Sequence, residues 1–419
     1  MRKVVVVGAG VAGLTAAATL AEAGVDVVVV EARDRIGGRT HTVDVGGGPV
    51  DLGAAWIHDP GNNPLSPYLA SIGCEVVPDA MWGQGMRAFG EDGWLSAATT
   101  ATLVASFYNF DPEAVSDAAS DRLDEGIDRF VHDHVPSRSR AVVGSFLGQF
   151  VGAGITGDHP SEIALSGAAV YEGETTGHNS VVAGGYRVLV DLLAHGLDIE
   201  LSTVVTDVSH APSGVVVTGP GVRIEADWAV VTVPLGVLRS GSPRFTPDLP
   251  EEHRSAISRL RTKRLEKVVL TFEERFWDDD LTTVVLIDDE HGRLSVNDLS
   301  RSSGVPTLVG FANPAIAAVE LDRDDTIGAW VDLLDRMFGT IPEVSAVAMT
   351  DWAEDPYALG SYSYIPVGAS ANDMHTLARP AGPRVLLAGE HTVPAYYGTV
   401  QAAWLSGHRA ASTILDGRS

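Results

Sequence analysis

The sequence predicts an α/β fold built around a parallel sheet, and three features of its first forty residues carry that prediction. Lys3-Val4-Val5-Val6-Val7 is a short, continuous β-branched run, as expected of a strand buried on both faces. A glycine loop, Gly8-Ala9-Gly10-Val11-Ala12-Gly13, follows it directly, and Glu31 lies about twenty residues beyond the first glycine. A second glycine turn, Gly37-Gly38-Arg39-Thr40, comes next.

Each part of this unit has a physical reason. Gly8 permits the tight turn, Gly10 leaves room for a pyrophosphate against the backbone, and Gly13 lets the following helix pack closely on the strand. That helix is expected over Leu14 to Ala23, ended by Gly24, and a second strand over Val25 to Val30. The helix N-terminus offers free amides and the positive end of its dipole to a diphosphate. Glu31, at the end of the second strand, can accept both hydroxyls of a ribose and disfavours a phosphorylated one. The pattern is Rossmann-like and implies dinucleotide binding.

Further along, Ser66 to Thr176 reads as helices with loops, for example Ser120 to Val135 and Arg140 to Val151. Gly184-Gly185-Tyr186 opens a helix, and Ile199 to Val208 reads as one strand. Trp228 to Leu238 is a buried strand broken by a Pro-Leu-Gly turn, Lys267 to Phe272 a further strand, and Asp325 to Phe338 an amphipathic helix. The last helix is expected over Val400 to Leu415, ended at Gly417. The chain therefore weaves between two domains: residues 1–70, 183–258 and 360–419 form the nucleotide-binding one, and 71–182 and 259–359 an α+β substrate-binding one.

Composition bounds the function. With 419 residues, 45% of them hydrophobic, the chain has material for a large core and two or three domains. Its 29 basic and 55 acidic residues give a formal net charge of −26, which argues against nucleic acid or anionic membranes as partners. Such a surface attracts cations, although it is more often a solubility or salt-adaptation trait. A single cysteine, Cys74, excludes an internal disulfide and a cysteine-based metal cluster, and no metal site is expected. The apolar N-terminus is interrupted by the glycine loop and does not read as a signal peptide, no transmembrane span is evident, and the last residues carry no membrane-anchoring tail. A cytoplasmic protein, monomer or homodimer, is the expectation.

Several segments together resemble the flavin-containing amine oxidase superfamily of monoamine oxidases, polyamine oxidases and flavin-type histone demethylases. They are Glu31-Ala32-Arg33-Asp34-Arg35-Ile36-Gly37-Gly38-Arg39-Thr40, Trp56-Ile57-His58, Asp351-Trp352, Gly360-Ser361-Tyr362, Gly389-Glu390-His391-Thr392 and Tyr397-Gly398-Thr399-Val400. The resemblance covers nearly the whole chain, with details closest to polyamine and spermine oxidases. It implies FAD as cofactor, held by Gly8, Gly10, Gly13, Glu31, Ala32, Arg33, Gly38, Arg39, Val205, Trp352, Gly389, Glu390, Thr399 and Val400. Monoamine oxidases attach their flavin through a cysteine at the place of Gly360, so the resemblance implies noncovalent FAD here. Their two-tyrosine cage is matched by Ser361 or Tyr362 on one side and Thr399 on the other, leaving an aromatic wall of Tyr362 and Tyr397.

The resemblance further implies catalytic roles for Lys267, which would manage protons during reoxidation by dioxygen, and for His58, Tyr362 and Thr399. Trp56, Glu172, Glu174, Trp352 and Tyr397 would line the substrate passage. Read from the residues alone, Lys267 is more simply a strand-edge lysine with its head in solvent and His58 a structural histidine, while Glu172 and Glu174 are equally a solvated turn. The implied reaction is oxidation of an amine, first a polyamine such as spermine or spermidine, to an imine and then an aldehyde, with dioxygen reduced to hydrogen peroxide. A broad-range monoamine oxidase, an L-amino-acid oxidase and a flavin amine dehydrogenase with another acceptor remain open.

Overall fold

The computed structural model describes residues 3–79, 85–116, 121–156, 159–170, 178–313, 317 and 323–417. Its central sheet has six strands in the order Asp198–Glu200, Asp26–Val30, Lys3–Val7, Trp228–Val231, Val385–Leu387 and Pro380–Gly382. All neighbours are parallel except the last pair. The valine run explains its central place, because Val4, Val5 and Val6 are each fully buried and only a strand covered on both faces can use such a sequence. On one face Val4, Val6 and Val29 pack with Leu14, Leu189 and Ile414 from the helices Val11–Glu22, Arg187–Ala194 and Val400–Asp416. On the other, Val5, Val7 and Val28 join Val208, Val215 and Ile224 of a small four-stranded sheet.

A second sheet of seven strands runs Val344–Met349, Glu266–Phe272, Thr307–Ala312, Arg293–Asp298, Thr283–Leu286, Met86–Gly90 and Gly93–Trp94. Its side chains alternate as the pleat requires. Val268, Leu270, Val296 and Leu308 point to one core, capped by Trp330, Leu333 and Met337 of the helix Arg323–Phe338. Lys267, Ser295, Asn297 and Phe311 stand on the strands between them and line a cavity.

Two expectations need correction. The stretch Ile199 to Val208 is two strands, Asp198–Glu200 and Asp207–Ala211, in different sheets. Backbone bonds from Ser202 and Thr203 to the carbonyls of Arg33 and Glu31 break the run and carry the chain across the end of the central sheet. The region from Ser66 is not only helical, since Val76–Asp79 and Met86–Gly90 are strands recruited by sheet partners distant in sequence. The helices within it are Ala97–Asn109, Leu123–His134 and Arg140–Leu147, and the last continues as a π-helical stretch, Gly148–Thr156. Among the described residues, no helix is long and apolar enough to cross a membrane.

Candidate active site and cofactor cradle

One large cavity is walled by both sheets and by the loops at the carboxyl ends of the central strands, where open α/β sheets bind ligands. Gly8 takes a positive φ of +106°, and a Cβ there would lie 2.5 Å from Thr232 Oγ1. A Cβ at Gly13 would lie 1.9 Å from the Gly8 carbonyl oxygen, so the helix can approach the loop only without a side chain. Gly13 itself does not line the cavity, as its packing role requires. At Gly10, by contrast, a Cβ would meet nothing nearer than the Gly37 carbonyl at 3.9 Å, which leaves open space along the backbone. Gly10 caps the first helix with no side chain on its amides, so that N-terminus faces the cavity ready for an anion.

Glu31 closes this end. Its buried carboxylate accepts the Ala9 amide at 2.7 Å and the Arg33 amide at 2.9 Å, which fixes its orientation and leaves lone pairs for a ribose. Arg33 is held by a two-pronged pair with Asp355 at 2.7 and 2.9 Å, and Ala32 and Val205 line the wall beside it. Gly38, Arg39, Gly389, Glu390, Thr399 and Val400 line the middle. Arg39 donates to Glu390 at 2.9 Å and to the Ser361 carbonyl at 2.9 Å, while Glu390 also accepts the Gly398 amide at 2.8 Å. Burial would raise the Glu390 carboxyl, but the Arg39 charge and these donors hold it below the usual carboxylate range. Thr399 caps the final helix by accepting the Ala402 amide at 3.2 Å.

The other end is a chamber of different chemistry. Lys267 is 5% exposed, and its Nζ donates to the carbonyls of Asp51 at 2.9 Å and Gly53 at 2.6 Å. The Trp56 and Phe311 ring centroids lie 5.0 and 5.3 Å from that nitrogen. Burial pulls its pKa down to about 8, against the opposing charge of Asp51. The Asp51 carboxyl is itself pushed up to about 6 by burial. His58 stands on the strand Trp56–His58 with Nδ1 2.7 Å from Asn179 Oδ1. Tyr362 and Tyr397 form the aromatic wall, and Trp352 lines the cavity with its amide bonded to Glu266 at 3.0 Å.

A family model described as "Flavin containing amine oxidoreductase" matches residues 11–415. The chain belongs to this family. Among curated relatives it is 32% identical to a lysine-specific histone demethylase 1 homolog 2 of Oryza sativa subsp. japonica, over 98% of this chain and 57% of that one. It is 30% identical to polyamine oxidase 2 of Arabidopsis thaliana, over 97% of this chain and 87% of that one. Thus the chain spans little more than half of the demethylase homologue but most of the polyamine oxidase. A solved putrescine oxidase bound to putrescine superposes with a TM-score of 0.81 at 22% identity, over 99% of both chains, which shows the shared fold.

The flavin-containing amine oxidoreductase is accordingly an FAD protein, and its cradle fits that group. The open backbone at Gly10, the fixed Glu31 carboxylate and the uncapped helix N-terminus suit the adenosine and diphosphate, and Gly389 to Val400 border the remainder. Cys74 is buried in the core beneath the central sheet and does not line the cavity, so no cysteine link to FAD forms.

The structure brings together His58, Lys267, Tyr362, Thr399, Trp56, Trp352 and Tyr397 around one space. Lys267 is not a strand-edge residue with a solvated head. Glu172 and Glu174 lie outside the described residues. Sequence reasoning missed Ser295, Asn297, Phe311, Leu294 and Phe150, which also line the chamber. It missed Glu266 too, whose carboxylate accepts Thr350 Oγ1 at 2.6 Å and the Trp352 and Ala353 amides, fixing the loop that carries Trp352. An acidic residue beside a lysine at the start of an apolar strand was the available signal.

Proposed function

We propose that the chain is an FAD-dependent oxidase of small amines, with a polyamine such as spermine or spermidine as first substrate and dioxygen as acceptor. The observation that carries this reading is Lys267. Its amine is buried in the chamber wall between two carbonyls and two aromatic rings, and its pKa is drawn close to neutrality. A group so poised is suited to holding and moving a proton beside the redox centre. When bound, FAD supplies the two-electron chemistry that takes the substrate from amine to imine and passes the electrons to dioxygen as hydrogen peroxide.

In this reading His58 contacts the substrate nitrogen, with its ring oriented by Asn179, and Trp56, Tyr362 and Tyr397 enclose the carbon chain. Thr399 stands where the final helix begins and would border the flavin ring. Glu31, Ala32, Arg33, Arg39, Val205, Gly389, Glu390 and Val400 hold the cofactor. An amino-acid substrate is less well served, because the arginines among the described lining residues are Arg33 and Arg39, both engaged at the cofactor end. The two-domain division at residues 70, 182, 258 and 359 belongs to the same proposal.

The test is anaerobic bleaching of the yellow protein by spermine, spermidine, putrescine, benzylamine and an amino acid, followed by air and a peroxide assay. Bleaching by the polyamines with fast reoxidation and peroxide supports the reading. Bleaching only by monoamines or an amino acid moves the substrate within the family. Reduction without peroxide on admitting air would establish a dehydrogenase and refute the oxidase.

A further inference from the structure

Lys263 is a second buried lysine, four residues before Lys267, and it is not among the residues lining the cavity. It is 1% exposed, and among the described residues no carboxylate bonds its amine. Nζ instead meets the Tyr362 hydroxyl and the Gly154 carbonyl, and the Tyr362 hydroxyl also lies 3.3 Å from that carbonyl. The backbones are tied as well, since the Lys263 amide donates to the Tyr362 carbonyl at 2.7 Å and the Ser361 amide to the Lys263 carbonyl at 2.9 Å. An ammonium without a countercharge is costly in such a place, and burial pushes this amine well below its usual range. Nζ donates to both the Tyr362 hydroxyl and the Gly154 carbonyl, and the phenolic O–H donates to that same carbonyl.

The far side of the Tyr362 ring is fixed by a different device. Gly398 has a φ of +78°, and a Cβ there would lie 2.7 Å from Tyr362 Cδ2, so the ring rests directly on backbone. Tyr362 is thus held at its hydroxyl by Lys263 and Gly154 and at its ring by Gly398, and Tyr362 and Gly154 both line the chamber.

We propose that Lys263 is a positioning residue for amine oxidation: its amine anchors the Tyr362 hydroxyl, so that the aromatic ring forms a fixed wall of the chamber against the substrate. This rests on reading the cavity as the amine chamber. Lys263 does not line the cavity, so it would act through Tyr362.

The experiment compares the wild-type holoenzyme with Lys263→Met, Lys263→Gln, Tyr362→Phe and the Lys263→Met/Tyr362→Phe double variant in anaerobic reduction by the amine that bleaches the wild type most strongly. Lys263→Met should raise the half-saturating amine concentration about three- to tenfold, the effect of one lost hydrogen bond, with a smaller change in the limiting rate of reduction. Tyr362→Phe should do the same, the double variant should match the single ones, and Lys263→Gln should restore most of the loss. Multiplying effects in the double variant, or no effect of Lys263→Met where Tyr362→Phe has one, would overturn the proposal.

A second measurement does not depend on turnover or on Lys263→Met folding. With 13Cζ-labelled tyrosine, the chain has nine tyrosine signals, and the one lost in Tyr362→Phe should be the one displaced in Lys263→Gln. If Lys263→Gln leaves that signal in place, the amine does not hold the phenol and the proposal falls. If no amine bleaches the wild type, the chamber reading fails instead, and a displaced signal still identifies the pair.

Discussion

Replacing Lys267 by methionine preserves the length of the side chain and removes a buried amine, and its consequence for stability has a calculable dependence on pH. Burial lowers the folded-state pKa from 10.5 to about 8, which corresponds to roughly 3 kcal/mol. The unfolded chain keeps its proton up to about pH 10.5, while the folded chain releases it from about pH 8. Between these values the unfolded state binds more protons, so the folded wild type gains stability as pH rises through that window. Below pH 8 the wild type carries the full penalty of a buried ammonium, offset by hydrogen bonds to the Asp51 and Gly53 carbonyls worth ~1–3 kcal/mol each. Lys267→Met loses both the penalty and the bonds, and should be close to wild type in stability near neutrality. Above pH 8 only the wild type gains, and the difference should grow by up to about 3 kcal/mol on approaching pH 10.5. Denaturant unfolding of both holoenzymes across this range measures it: groups not coupled to Lys267 cancel in the difference, and Asp51, which is coupled to it, titrates at about 6, below the window. Parallel stability curves for the two proteins would refute the argument that burial depresses this amine.

In rapid-mixing experiments the same Lys267→Met protein should be reoxidised by dioxygen about a hundredfold more slowly, with flavin reduction slowed less than about tenfold; equal slowing of both halves would remove the proton role. Gly13→Ala places a Cβ 1.9 Å from the Gly8 carbonyl oxygen. It should cost about 1–3 kcal/mol and lower the flavin content of the purified protein, read as the ratio of flavin to protein absorbance; full loading at wild-type stability would contradict the packing account. Arg39→Met leaves Glu390 buried without its 2.9 Å partner, an expected loss of about 3–5 kcal/mol near neutral pH. Because the Glu390 carboxyl is held low in the folded protein, the wild type loses this contribution as pH falls through the carboxylate range. The gap between the two proteins should therefore narrow in acid, and a pH-independent gap in denaturant midpoints would count against it.

The cofactor end was legible because its chemistry is local. Gly8, Gly10, Gly13 and Glu31 lie within one strand–helix–strand unit, and a buried valine strand announces itself in five consecutive residues. The chamber was legible only where a residue type is unusual for its setting, as Lys267 is at the head of the fully buried strand Glu266–Phe272. Ser295, Asn297 and Phe311 are ordinary strand residues, and their place in the wall is set by pairing between the strands Arg293–Asp298 and Thr307–Ala312. The same non-local pairing turned parts of a helical-looking region into strands at Met86–Gly90. Lys263 escaped notice because its partners, Gly154 and Tyr362, are about a hundred residues away in either direction.

The first helix of the chain, Val11–Glu22, packs against the last, Val400–Asp416, closely enough that a Cβ at Gly407 would lie 2.4 Å from the Ala12 carbonyl oxygen. The central sheet is likewise completed by the strand Val385–Leu387. During synthesis, then, the first helix emerges early but waits for some 380 further residues before the last helix that it packs against exists. Such late closure makes a folding reaction slow and exposes a half-built apolar sheet in the meantime. FAD captured by the loop alone would find only one wall of its site, so cofactor binding and completion of the sheet should behave as one cooperative event near the end of folding.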